Sequence, residues 1–145
     1  MKGLALAAMI LMITGCGSGG GATQQAAVAT VNATGTWTGS FSSSLGGTHN
    51  VTLSLVQNGS SLTGTFSTST GAVGTASGSV VGNTAMVSFT MTSQGCNGTF
   101  TGTGMITEPT TGPSTMVCNM SGSTTCGGNE SDTGTLTKQY PVGAI

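Results

Sequence analysis

Charge is almost missing from this chain. Its 145 residues include no arginine, two lysines and three acids, namely Lys2, Lys138, Glu108, Glu130 and Asp132. Nucleic-acid binding draws most of its affinity from basic side chains that meet phosphates, so we expect no nucleic-acid partner. Catalysis by a pair of carboxylates is also poorly supported, because Glu130 and Asp132 share a predicted loop and no acid falls on a predicted inward face.

Other groups used in catalysis are scarce as well. The single histidine, His49, lies in the polar stretch GGTHN, far in sequence from every acid, and we interpret it as an exposed loop residue. The stretch GGNESD offers Asn129, Glu130 and Asp132 to a cation, but it lacks the length and ligand number of a calcium loop. We interpret it as a solvated turn. The sequence therefore predicts neither an enzyme nor a cofactor.

The N-terminus has the layout of a secretory signal. Lys2 precedes an apolar run from Leu4 to Ile13, which is too short to span a bilayer as a helix, and small residues then lead to Cys16. Residues 1–15 are predicted to be a signal peptide. Residues 16–33 are rich in Gly, Ala, Gln and Ser without a period, which indicates a flexible tether.

The tetrapeptide Ile13-Thr14-Gly15-Cys16 resembles the bacterial lipobox. The resemblance implies that Cys16 receives a diacylglycerol and becomes the first mature residue, so that acyl chains anchor the protein on a membrane. Gly17 stands where many inner-membrane lipoproteins carry aspartate. The implied location is the bacterial cell envelope, at the outer membrane, facing the periplasm or the cell surface.

From Gly35 onward, apolar residues or glycines occupy every second position, which is typical of strands with one buried face. The alternation recurs in eight segments that are separated by turn signals such as Asn58-Gly59, Gly82-Asn83 and Asn97-Gly98, and by a longer connection from 108 to 113. We predict an all-β fold, a single eight-stranded antiparallel up-and-down barrel spanning 34–140, with a C-terminal tail at 141–145.

A glycine between two hydroxyl residues occurs in six of the eight predicted strands. We expect each such glycine to face inward, where the missing side chain allows a strand to coil and leaves room for large neighbours. The flanking Ser and Thr face outward. The six glycines are Gly39, Gly64, Gly78, Gly102, Gly122 and Gly134.

Several short stretches resemble the avidin and streptavidin family and, more loosely, lipocalin-like barrels of bacterial lipoproteins. They are Gly35-Thr36-Trp37, Leu62-Thr63-Gly64-Thr65-Phe66 and Gly134-Thr135-Leu136-Thr137-Lys138. The resemblance implies a calycin-like meander. It does not extend to a biotin site, because Gly39 and Phe66 stand where that family has an asparagine and a tyrosine.

Three cysteines remain after Cys16. With simple pairing of the hairpin around 107–115, Cys96 lies opposite roughly 124–126, so we predict a Cys96–Cys126 disulfide and a buried thiol at Cys118. Met116, Cys118 and Met120 share one face of a strand. Soft sulfur ligands suit Cu(I), but the same residues are ordinary core fillers, and we favour packing over a metal site.

Function is less constrained than fold. The first hypothesis is a non-enzymatic binding module that takes a small apolar ligand, or an envelope protein partner, at the open barrel end. The alternative is a structural or inhibitory envelope component that acts through the outer barrel surface. A ligand inside the barrel would meet aromatic residues at Trp37, Phe41, Phe66, Phe89 and Phe100.

Overall fold

A computed structural model describes residues 28–141 of the chain. Its strands are β1 (Gly35–Ser43), β2 (Thr48–Asn58), β3 (Ser61–Thr68), β4 (Val73–Val81), β5 (Thr84–Ser93), β6 (Cys96–Thr107), β7 (Thr115–Thr124) and β8 (Gly128–Gln139). Each strand pairs antiparallel with the next, and β1 pairs with β8, so the sheet closes. The predicted eight-stranded up-and-down barrel is confirmed. The predicted signal peptide, Cys16 and most of the predicted tail lie outside the described residues.

No segment between residues 28 and 141 is a helix of the length and hydropathy needed to cross a membrane.

The barrel has two different ends. The turns β2–β3, β4–β5 and β6–β7 lie at one end, which we call the closed end, and the four other connections surround the opposite, open end. The period-two pattern places alternate side chains inside, and the fully buried large residues concentrate towards the closed end. These residues are Trp37, Leu62, Val80, Ile106, Met116 and Leu136.

Residues 28–33, which we call the closing segment, lie against the closed end. Ala29 forms a parallel bridge with Gly82, and Ala33 is fully buried. The Gln57 side chain accepts a hydrogen bond from the Ala33 amide at 2.7 Å and donates one to the Val31 carbonyl at 3.2 Å. Although these residues belong to the predicted tether, the packed domain extends back at least to Val28, six residues before the predicted boundary.

The inward glycines allow neighbouring strands to approach closely. A Cβ atom added to Gly64 would lie far inside van der Waals contact with the backbone carbonyl oxygen of Ser54, and one added to Gly102 would do the same at Asn119. Equivalent backbone clashes occur at Gly39, Gly78, Gly122 and Gly134. The missing side chains therefore relieve contacts with the adjacent strand's backbone, in addition to making room inside the barrel.

The β5–β6 turn differs from the prediction. Ser93 pairs with Cys96, so Gln94 and Gly95 form a two-residue turn, and both have positive φ, 47° and 83°. This matches the left-handed conformation that such hairpin turns require. The Asn97-Gly98 pair, a turn signal in the sequence, lies inside β6.

The start of β8 also corrects the sequence interpretation. GGNESD was predicted to be a solvated turn, but β8 begins at Gly128, and its early residues pair with β7. Glu130 and Asp132 therefore face inward, on the same side of β8 as Gly134 and Leu136. The expectation that no acid faces inward is therefore wrong. Both acids lie in the open half of the barrel.

Candidate functional site

The open half of the barrel contains a cavity of about 330 Å³, which we call the open-end cavity. Small-molecule sites have volumes of roughly 300 to 1,000 Å³. Residues from most of the strands line it, and its floor is formed by side chains such as Leu53, Val87 and Leu136. The packed closed end lies below this floor, so the cavity is a blind pocket with one mouth.

One wall of the cavity is aromatic. Phe66 and Phe89 pack edge to face with ring centroids 5.4 Å apart, and Phe100 pairs with Phe89 across β5 and β6. Phe41, on β1, lies outside this wall and stacks on the His49 ring, with the ring centroids 6.2 Å apart. Four of the five aromatic residues considered for the interior thus line the cavity.

Trp37 is the exception, because it does not line the cavity. It is fully buried at the closed end, where its indole N–H donates to the Ala33 carbonyl at 2.9 Å. The alternation of apolar residues correctly predicts that Trp37 faces inward. The position along the strand then decides whether an inward residue lines the cavity or lies in the packed closed end.

The opposite wall carries the polar groups. Ser43 on β1 pairs with Asp132 on β8, and the Ser43 hydroxyl donates to the Glu130 carboxylate. Asp132 is only 6 % exposed, and within the described chain its Oδ1 atom has no hydrogen-bond partner. His49 lies close enough for its charge to influence Asp132. The histidine and two acids that are distant in sequence therefore meet in one wall.

The pKa of the Asp132 carboxyl is raised. Burial, the negative charge of Glu130 and a hydrogen bond with that carboxyl, in this order of size, bring the pKa from the ordinary 3.8 to about 6. The charge of His49 and a hydrogen bond from Ser43 act in the opposite direction. A carboxyl that changes charge near neutral pH is a common feature of binding and catalytic sites.

Sequence reasoning missed these acids although the signal was present. Counting back by two from Leu136 and Gly134 reaches Asp132 and Glu130, so the same period that identified β8 also predicts their facing. The Gly-rich composition of the segment masked this alternation.

The three sulfur residues considered for copper also line the cavity. Met116 and Cys118 are buried and Met120 is partly buried. Burial raises the pKa of the Cys118 thiol to about 12, and the thiol donates to the Met116 carbonyl at 3.8 Å. Because the thiolate is the metal ligand, this environment opposes metal binding. In residues 28–141, no three His, Cys, Asp or Glu side chains are grouped closely enough to hold a metal ion.

A disulfide links one strand to a connection at the open end. Cys96 and Cys126 are bonded with their Cα atoms 5.7 Å apart, which joins the first residue of β6 to the β7–β8 connection. The predicted pairing is confirmed, and Cys118 is the free, buried cysteine of the described chain. The covalent link restrains part of the rim around the cavity mouth.

Comparison with known proteins gives a likeness of fold. No family model and no curated protein matches the sequence. Among solved structures, the chain is similar to a redesigned β-barrel, mFAP0, bound to DFHBI, with 23 % identity, a TM-score of 0.50 and coverage of 72 % of this chain and 97 % of that one. It is also similar to a second redesigned β-barrel, mFAP1, bound to DFHBI, with 22 % identity, a TM-score of 0.51 and coverage of 72 % and 94 %. At these identities the likeness shows that the chain shares the β-barrel fold.

Proposed function

We propose that this protein is a membrane-anchored lipoprotein of the bacterial envelope whose barrel is a non-enzymatic binding module for a small, largely apolar ligand. The observation that carries the proposal is the open-end cavity, which combines about 330 Å³ of space with a largely apolar, aromatic lining and a few converging polar groups. Two redesigned barrels of similar fold, mFAP0 and mFAP1, are bound to DFHBI, which supports a binding module on this fold.

The chain enters the described domain at the end opposite the cavity mouth. Val28 accepts a hydrogen bond from the Gly82 amide at 3.0 Å, which places the entry at the closed end. A tether from an acyl anchor on Cys16 would therefore join the domain away from the mouth.

Cavity occupation is tested with a neutral aromatic probe, 1-naphthylmethanol, in isothermal calorimetry. Val87→Phe adds a ring at an inward position that lines the cavity, whereas Met86→Phe adds the same ring at the neighbouring exposed position. We expect the probe to bind to the wild type and to Met86→Phe, and to bind much more weakly to Val87→Phe. Equal binding to all three proteins would place the probe outside the barrel and contradict the proposal.

The anchor is tested separately. Cys16→Ala removes the predicted acylation site, so it should abolish incorporation of a labelled fatty acid and release the protein from the membrane fraction. Cys118→Ala is the control, because that cysteine is buried in the barrel and should not affect labelling. Unchanged label in Cys16→Ala would exclude the lipoprotein assignment.

One observation favours the alternative, a component that acts through its outer surface. Met105 and Val117 are exposed, pair with each other across β6 and β7, and lie near exposed Met86 on β5. An apolar strip on an otherwise hydroxyl-rich surface is a feature of interaction sites. Loss of pull-down partners in Met105→Ser with Val117→Ser, with unchanged probe binding, would favour this alternative.

A further inference from the structure

Within the described residues, the two carboxylates in the cavity wall have no lysine or arginine partner. Lys138 is the one lysine or arginine between residues 28 and 141, and its Nζ atom lies at the closed end, where it donates to the Asn32 carbonyl at 2.7 Å and sits over the Trp37 ring. Glu130 and Asp132 are therefore two of the few charged groups in the chain, and they lie together in the wall of its main apolar space.

The groups that face this acid pair leave one carboxylate oxygen without a hydrogen-bond donor. From β1, Ser43 donates to Glu130; from β7, Met120 pairs with Asp132 and supplies no donor; from β2, His49 is the nearby titratable group. The Oδ1 atom of Asp132 still has no partner in the described chain. Burying a carboxylate without a partner is costly, so a ligand that brings hydrogen-bond donors and positive charge would remove this cost.

The cavity lining limits the class of ligand further. The aromatic wall of Phe66, Phe89 and Phe100 favours an apolar, ring-sized body. An anionic ligand would be repelled by the acid pair. A bare metal ion would lack a third protein ligand from His, Cys, Asp or Glu within the described residues. A protonated amine supplies both the positive charge and the hydrogen-bond donors that the acid pair lacks, because its N–H groups form charge-assisted hydrogen bonds with carboxylates.

We propose that the ligand of the open-end cavity is a small organic amine, with an aromatic or aliphatic body against Phe66, Phe89 and Phe100 and an ammonium group that donates to Glu130 and Asp132. This inference rests on the proposed binding function and specifies its ligand class. Ser43 then positions the Glu130 carboxylate, and His49 borders the site of the ammonium group.

Binding of such an amine depends on pH. The Asp132 carboxyl, with its pKa near 6, loses its proton as the pH rises, and the resulting charge strengthens the attraction for an ammonium group. Glu130, His49, Ser43 and Met120 surround this carboxyl. Amine affinity should therefore increase from about pH 5 to about pH 7.5, whereas a neutral ligand should show little change.

The test compares three probes that share one ring system: 1-naphthylmethylamine, 1-naphthylmethanol and 1-naphthoate. Isothermal calorimetry uses residues 16–145 with Cys16→Ala, which lacks the predicted signal peptide and the acylation site, because detergent needed for a lipidated protein would itself compete for an apolar cavity. We expect the amine to bind about tenfold more tightly than the alcohol at about pH 7.5, which corresponds to about 1.4 kcal/mol, and the carboxylate to bind most weakly.

Two substitutions connect this preference to the acid pair. Asp132→Asn and Glu130→Gln should each reduce the advantage of the amine over the alcohol while leaving alcohol binding nearly unchanged. Glu108→Gln is the matched control, because Glu108 lies at the closed end, where it accepts a hydrogen bond from the Asn32 amide. It should keep the full preference.

The outcomes separate this inference from the proposed function. If the amine and the alcohol bind equally to the unsubstituted acid pair, the ligand-class inference is wrong and the binding function stands. If none of the three probes binds, the binding function fails and the inference fails with it. The comparison of probes on one protein needs no acid variant, so it remains decisive even if a variant does not fold.

Discussion

Trp37 and Ala33 are joined by a hydrogen bond from the indole N–H to the carbonyl oxygen at 2.9 Å, and both residues are fully buried. The contact links the first residues of β1 to the closing segment that precedes it. Lys138, from β8, reaches over the same ring at 5.6 Å from its centroid. The closing segment and both terminal strands of the barrel therefore meet around one tryptophan.

The first prediction follows from this contact. A chain that starts at Thr34 lacks the closing segment, whereas a chain that starts at Val28 keeps it. We expect the shorter chain to melt at a lower temperature, and its fluorescence to shift to longer wavelength because the sole tryptophan becomes exposed to water. The Val28 chain should match the full-length protein. Identical melting curves and spectra for the two truncated chains would show that residues 28–33 do not contribute to the packed domain.

The second prediction concerns the inward glycines. Gly64→Val and Gly102→Val should each destabilise the barrel by about 1 to 3 kcal/mol or more, because the new side chains meet the backbone of an adjacent strand. Thr63→Val and Thr101→Val are the controls, because these neighbours are exposed and suit a β-branched residue. Thermal and urea denaturation measure the difference. Greater loss in the threonine variants would reverse the assignment of facing.

The third prediction concerns the disulfide. Cys96 and Cys126 are separated by 30 residues, and closing a loop of this length contributes about 3 to 4 kcal/mol in the chain-entropy model. Reduction should therefore lower the midpoint of urea denaturation. Peptide mapping should recover the Cys96–Cys126 pair, and a bond from Cys118 to either partner would contradict the strand register.

The fourth prediction concerns the buried thiol. Burial raises the pKa of Cys118 to about 12, so the reactive thiolate is nearly absent at neutral pH. A bulky thiol reagent should label Cys118 only in denaturant. The same argument predicts weak copper retention in the native protein. Stoichiometric copper that is kept by the wild type and lost in Met116→Leu with Met120→Leu would instead establish the Cu(I) site.

The fifth prediction concerns pH. The Asp132 pKa rises from 3.8 to about 6 on folding, so between these values the folded state keeps a proton that the unfolded state has released. The contribution of Asp132 to stability is therefore fully present below about pH 4 and is lost as the pH rises to about 6. Asp132→Asn should lack this decline and should be more stable than the wild type above pH 6. Glu108→Gln should retain the decline. Parallel stability profiles for wild type and Asp132→Asn would contradict the shift.

Much of the fold could be predicted because its signals are local. The period of two along each segment sets which residues face inward, and turn residues such as Gly59 and Gly82 mark where strands end. The Cys96–Cys126 pairing followed from the register of one hairpin. The β8 start was misplaced because glycine-rich, polar residues hide the same alternation that is evident in the apolar strands.

The strands, most of their inward faces and the cysteine pairing follow from local sequence, since each depends on neighbours within one strand or one hairpin. The location of the polar site depends on the closure of the barrel. Ser43 and Glu130 are 87 residues apart, and they meet because β1 closes against β8. The depth of each inward residue, with Trp37 at the closed end and Asp132 beside the cavity, likewise depends on how all eight strands are staggered around the barrel.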